Sequence, residues 1–162
     1  MRNGCIVIAA ILALTLPACD LIPGTPRNQA REALRGMMFD PGAAKIEFVA
    51  ETADAVCGTV NGKNRMGAYV GASPFVFRKS IGYVEVYGGD VEGSDLRMLS
   101  LTDTDDPDWD KSYGEIDAKC RFPKTWKAMC GVAPGPTESD ICQTWSREGG
   151  FMELMNKYDY RR

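Results

Sequence analysis

The chain has 162 residues, with 19 lysines and arginines against 22 aspartates and glutamates, and no histidine. A net charge of −3 in a sequence that is 44% hydrophobic leaves no basic stripe of the kind nucleic acid requires, so no nucleic-acid partner is expected. The lack of histidine removes the commonest acid–base catalyst and the serine and cysteine triads built on it.

Met1 to Gly4 give a charged start, Cys5 to Leu16 an apolar run, and Leu16-Pro17-Ala18-Cys19 closes it. This layout resembles a bacterial lipoprotein signal with its lipobox. The uncharged stretch falls short of the roughly 20 residues that span a bilayer. The resemblance implies removal of residues 1–18 and thioether lipidation of Cys19. Each long acyl chain, such as a palmitate, then contributes on the order of 10 kcal/mol to membrane attachment. Residues 19–24 form a short lipidated tether, and 20–24 reach about 17 Å when extended. Residues 25–162 are the size of a single domain. The expected location is the bacterial cell envelope, lipid-anchored and facing the periplasm. Asp20, directly after the lipidated cysteine, resembles an inner-membrane retention signal.

Thr25 and Pro26 read as an N-cap and first helical residue, and Ala30, Leu34, Met37 and Met38 recur at helical spacing. Asp40-Pro41 repeats the signature and starts a helical turn through Ala44. From Lys45 the period changes, with Ile46, Phe48 and Ala50 alternating against Lys45, Glu47, Val49 and Glu51. Further strands are predicted over 54–60, 74–79, 82–87 and 96–101, separated by glycine-bearing turns. Phe122, Trp126 and Cys130 share one face of a short helix, with Pro123 in its first turn and Gly131 at its end. Helices over 138–148 and 151–157 close the chain. The fold class is therefore α+β: an N-terminal helix, an antiparallel sheet of about four or five strands, and C-terminal helices.

With Cys5 removed and Cys19 acylated, Cys57, Cys120, Cys130 and Cys142 remain. An even number in an exported domain predicts two disulfides among three connectivities. Zinc is disfavoured, because there is no C-x-x-C pair and no histidine. Cys130 points into the core from its helix, where Cys57 on a central strand can meet it. Cys57–Cys130 and, by elimination, Cys120–Cys142 are the expected bridges, worth about 4 and 3 kcal/mol on the loop-entropy model.

The densest motif is Cys57-Gly58-Thr59-Val60-Asn61-Gly62-Lys63-Asn64, continuing through Gly67, Tyr69 and Gly71 to Phe75. Together with Asp40-Pro41, Ala44 and Ile46, it resembles a family of small exported bacterial proteins that share D-P-x-S/A-A-x-F/I and C-G-x-V-N-A-K-N-x-x-G-x-Y-x-G. Phe122, Trp126 and Cys130 are similar to that family's closing F-x-x-x-W-x-x-x-C helix, which agrees with the Cys57–Cys130 pairing. Gly62 stands where the family carries alanine, and residues 131–162 extend past its usual end. The resemblance implies a fold family and no activity.

Two loops are candidate sites. Asn61, Lys63, Asn64 and Tyr69 form either a recognition loop for an anionic or glycan ligand or a turn whose asparagines satisfy its own backbone. Asp106, Asp108 and Asp110 have the D-x-D-x-D spacing of a calcium loop, with Asp117 at the twelfth position. Lys111 replaces the glycine of that loop, and a solvated acidic loop with Trp109 folded back is the competing reading. No catalytic residues and no cofactor are expected. The sequence reads as a non-catalytic binding or interaction module of the envelope, attached to the membrane through Cys19 and contacting an unknown envelope protein or glycan. Alternatives are a periplasmic inhibitor of a wall-degrading enzyme, inserting a rigid loop, and a hydrolase using paired carboxylates.

Overall fold

The computed structural model describes residues 24–131 and 135–158. The signal segment, Cys19 and most of the tether lie outside them. Helix α1 (Pro26–Met37) begins where the Thr25 side chain accepts a hydrogen bond from the Asn28 amide at 3.3 Å. A single 3₁₀ turn, Pro41–Ala43, follows, capped by Asp40 Oδ1 accepting from the Ala43 amide. Four strands, β1 (Lys45–Glu51), β2 (Ala55–Asn61), β3 (Ser73–Arg78) and β4 (Tyr83–Val86), then form an antiparallel meander in the order β1-β2-β3-β4. The domain is α+β.

The sheet is covered on both faces. On one, Ala30 and Leu34 of α1 pack against Val56, Val60, Phe75, Phe77 and Val84. On the other, Ala55, Cys57 and Val76 pack against Phe122, Trp126 and Cys130 of α3 (Pro107–Cys130). Alternation along β2 therefore sends valines to one helix and the cysteine to the other. Gly58 makes the first face possible. A Cβ there would overlap the Glu47 carbonyl oxygen and lie 2.8 Å from the Phe75 ring. Phe75 fills that space and meets Phe48 edge-on at 6.1 Å between centroids.

Strand β1 departs from simple alternation. A bulge between Phe48 and Ala50 shifts the register, so Phe48 pairs with Gly58 but Ala50 pairs with Cys57. Ile46 and Phe48 face α1, whereas Ala50 packs on the α3 side and Val49 is left exposed. The expected single apolar face of this strand is thus split by one extra residue.

A third cluster is helical. Helix α2 (Gly93–Leu101), the first half of α3, α4 (Asp140–Trp145) and α5 (Gly150–Tyr158) bury Leu96, Leu99, Ile116, Cys120, Cys142, Trp145 and Leu154 together. Residues 96–101, predicted as a strand, belong to α2. A capping box between Glu92 and Asp95 starts that helix, and Leu96 and Leu99 are buried three apart on one face. Helix α3, predicted around Phe122 to Cys130, is also longer than expected. Asp106 accepts from the Asp108 amide at 2.9 Å, so the acidic stretch is the first turn of a 24-residue helix rather than a loop. Pro123 lies inside it, buried, and forgoes only the bond to the Lys119 carbonyl. Gly131 ends α3 in the left-handed region at φ 63°, where glycine carries no Cβ penalty.

Helix α3 holds both crosslinks. Cys130 bonds to Cys57 and Cys120 to Cys142, the pairing read from the spacing of the Phe122, Trp126 and Cys130 face. Thr52 Oγ1 donates to the Met129 carbonyl at 3.1 Å, tying the end of α3 to the turn before β2.

Candidate functional site

The motif after Cys57 forms a hairpin between β2 and β3. Its backbone crosses at Lys63 and Tyr69, and the Val70 amide donates to the Gly62 carbonyl at 3.2 Å. Asn64 closes the tip: its Oδ1 accepts from the Met66 amide at 3.0 Å and the Ala68 amide at 3.1 Å. Gly67 takes φ 78° there, which the reversal requires. Asn61 Oδ1 accepts from the Gly71 amide at 3.2 Å and holds the base. Both asparagines are therefore spent on the hairpin itself, the turn-forming role weighed against recognition.

Lys63 and Tyr69 are placed differently. The Tyr69 hydroxyl donates to the Ala43 carbonyl at 3.1 Å, docking the hairpin onto the 3₁₀ turn. The Lys45 and Lys63 ammoniums lie 4.3 and 5.4 Å from the Tyr69 ring centroid, each contact worth about 0.5–1 kcal/mol at an exposed site. Arg65 projects from the tip. Among the described residues no carboxylate lies within ion-pair distance of Lys45, Lys63 or Arg65, nor of Lys111, Lys127 or Lys157, while several other cations are neutralised. Arg27 and Lys79 share Glu51, Arg78 meets Glu85, Lys119 meets Asp95, and Arg121 meets Asp117.

Beside these cations runs an apolar groove of about 280 Å³ between the end of α1 and the hairpin, with Met37, Met38, Phe39, Val60, Gly62 and Val70 in its walls. Phe39 is 70% exposed, Val70 68%, and Met66 at the hairpin tip 92%. Met38 lies over Gly62, where a Cβ would come within 2.6 Å of its sulfur. Glycine at that position thus lets the thioether seat. Sequence reasoning identified the hairpin but not the groove. Met37 and Phe39 reach it from the end of α1, distant in the chain, and the only local signal was an aromatic just after an amphipathic helix.

The acidic candidate is not brought together as a cation site. Asp106 is committed as the α3 cap, and Asp108 and Asp110 sit two apart in its first turn, a spacing at which side chains do not face one another. Asp117 binds Arg121 at 2.8 Å and accepts from Trp145 Nε1 at 3.3 Å. Among the described residues no three acidic or cysteine side chains converge on a point that would hold a metal ion. Trp109 does fold back, stacking on Tyr113 with 5.2 Å between centroids.

Among the described residues two ionisable groups are perturbed, both outside the hairpin. The Glu51 carboxyl is held below its usual range chiefly by the Lys79 hydrogen bond, against the opposing effect of burial, with Arg27 adding to Lys79. Burial pushes the Tyr87 hydroxyl up, reinforced by its 2.5 Å hydrogen bond to Asp90. Each fastens structure: Glu51 joins α1 to the sheet edge, and Tyr87 pins the turn after β4.

Among the described residues no helix is long and apolar enough to cross a membrane. No protein-family model, curated protein or solved structure matches the chain.

Proposed function

We propose that this protein is a lipid-anchored component of a bacterial cell envelope that acts as a non-catalytic interaction module, with the 61–71 hairpin and the neighbouring groove as its contact surface. The lipobox ending at Cys19 supports the anchor. The observation that carries the contact surface is the pairing of unneutralised Lys45, Lys63 and Arg65 with exposed Phe39, Met66 and Val70. Exposed apolar side chains beside cations of one sign fit a partner that is both anionic and greasy. The polar groups of the hairpin that could act in chemistry, Asn61, Asn64 and the Tyr69 hydroxyl, are already bonded within the domain.

The test has two readouts. Mass spectrometry of the N-terminal peptide from cell envelopes is expected to find a diacylglyceryl thioether on Cys19. A photo-crosslinking residue at position 66 is expected to label one envelope component, with yield reduced by Lys63→Glu. An unmodified Cys19 would overturn the anchor, and absence of any Lys63-dependent crosslink would overturn the contact surface.

A further inference from the structure

We infer that the hairpin surface docks on an anionic lipid bilayer, the one in which the proposed anchor is inserted, so that the domain is held at two points. This rests on the lipid-anchor reading above and names the partner of the same surface. Three observations point to a bilayer. First, Lys45, Lys63 and Arg65 have no acidic partner among the described residues and gather at one hairpin, Lys45 and Lys63 at the same Tyr69 ring, whereas Arg27, Arg78, Lys79, Lys119 and Arg121 are each paired with a carboxylate and the other lysines without one, Lys111, Lys127 and Lys157, lie on the helices. Such cations are attracted to phosphate headgroups.

Second, the exposed apolar groups are spread over a groove and a hairpin tip rather than one flat patch. Phe39 (70% exposed) and Val70 (68%) stand in the groove walls, and Met66 (92%) at the hairpin tip. A fluid interface can take up scattered tips, while the stems of Lys45 and Lys63 lie along the apolar boundary with their ammoniums in the headgroups. Met66 is placed by a tip closed through Asn64, so its exposure is a built feature of the hairpin.

Third, the lengths permit both contacts at once. The tether reaches about 17 Å, a little less than the about 18 Å of the 12-residue α1, so both contacts are met with α1 inclined to the bilayer rather than upright. The groove is built partly from Met37 and Met38 at the far end of that helix. A contact too weak to hold a free protein becomes effective when a tether keeps it near the surface.

The experiment uses the processed, lipidated protein as isolated, reconstituted in phosphatidylcholine vesicles and in phosphatidylglycerol vesicles. Flotation reads the anchor, and amide hydrogen exchange of residues 61–71 reads the hairpin. Flotation is expected with both lipids. Exchange across 61–71 is expected to slow severalfold on phosphatidylglycerol only, and to recover at high salt. Lys63→Gln with Arg65→Gln should reduce the docking equilibrium constant about 30-fold and restore fast exchange while flotation persists. Met66→Ser, at a side chain that is 92% exposed and so leaves folding unchanged, should weaken docking with the charges intact. Flotation without slowed exchange on either lipid would overturn the inference and return the hairpin to a protein or glycan partner. Slowed exchange on phosphatidylglycerol with no flotation on phosphatidylcholine would support the surface and overturn the anchor. Loss of both would overturn both.

Discussion

Replacing Gly58 with alanine adds one methyl group at the centre of the sheet, and its consequence follows from what surrounds it. The new Cβ would overlap the Glu47 carbonyl oxygen on β1 and stand 2.8 and 2.9 Å from two atoms of the Phe75 ring. Neither can yield easily. The oxygen belongs to the β1–β2 ladder, and Phe75 is fully buried between α1 and the sheet. Overpacking alone costs about 1–3 kcal/mol. Pushing β1 away weakens neighbouring ladder bonds at about 1 kcal/mol each. A total of about 3–4 kcal/mol is therefore expected. With a urea slope of about 2 kcal/mol/M, the unfolding midpoint should fall by roughly 1.5–2 M. The same substitution at Gly114, exposed in the middle of α3 with nothing within 4 Å of its added Cβ, should instead stabilise by about 1 kcal/mol. Urea unfolding followed by circular dichroism measures both. A Gly58→Ala midpoint within error of the parent, or a shift equal to that of Gly114→Ala, would refute the claim that glycine is required by close approach.

Two further outcomes are expected. Removing Cys57–Cys130, which spans 73 residues, should cost about 4 kcal/mol, and removing Cys120–Cys142, which spans 22, about 3 kcal/mol; paired Cys→Ala variants in urea test the ranking, and a reversed order would reject loop length as its cause. Glu51→Gln should destabilise at neutral pH, because the native carboxylate holds its charge more tightly than the unfolded chain does. That stabilisation is present above the ordinary carboxylate value of 4.5 and fades as pH falls through the depressed native value. The unfolding curves of parent and variant should therefore converge in acid, and a gap that persisted to low pH would exclude the Lys79 and Arg27 pairing as its source.

The parts of the fold legible in the sequence are those where a local signal and the burial pattern agree. Thr25-Pro26 starts α1 as cap chemistry requires, and Ala30 and Leu34 are its buried stripe. β2 was legible from its valines, and the face shared by Phe122, Trp126 and Cys130 aimed one cysteine at the sheet. Elsewhere two signals competed. Leu96 to Leu101 is too short an apolar run to separate strand from helix by period, and the Glu92–Asp95 box that decides it is a capping signal, not an apolar one. The start of α3 was hidden by its own composition. Asp106, Asp108 and Asp110 read as solvated loop residues, yet acids belong in a first turn, where they meet the positive end of the helix dipole. Pro123 looked like a beginning because proline usually is one; burial against the sheet overrides that preference. The β1 bulge left no mark in the sequence beyond an imperfect alternation. At the candidate site, the asparagines announced a reversal, but the groove depends on α1 ending beside it, a tertiary fact that no window of sequence contains.

Helix α3 carries one bridge to the sheet through Cys130 and another to α4 through Cys120. A protease cut anywhere between Gly131 and Ser139 would consequently sever the main chain without shedding the C-terminal helices, since Cys142 keeps them riveted to the body. In an oxidising compartment a nicked molecule would remain whole, and only a reductant would part its pieces.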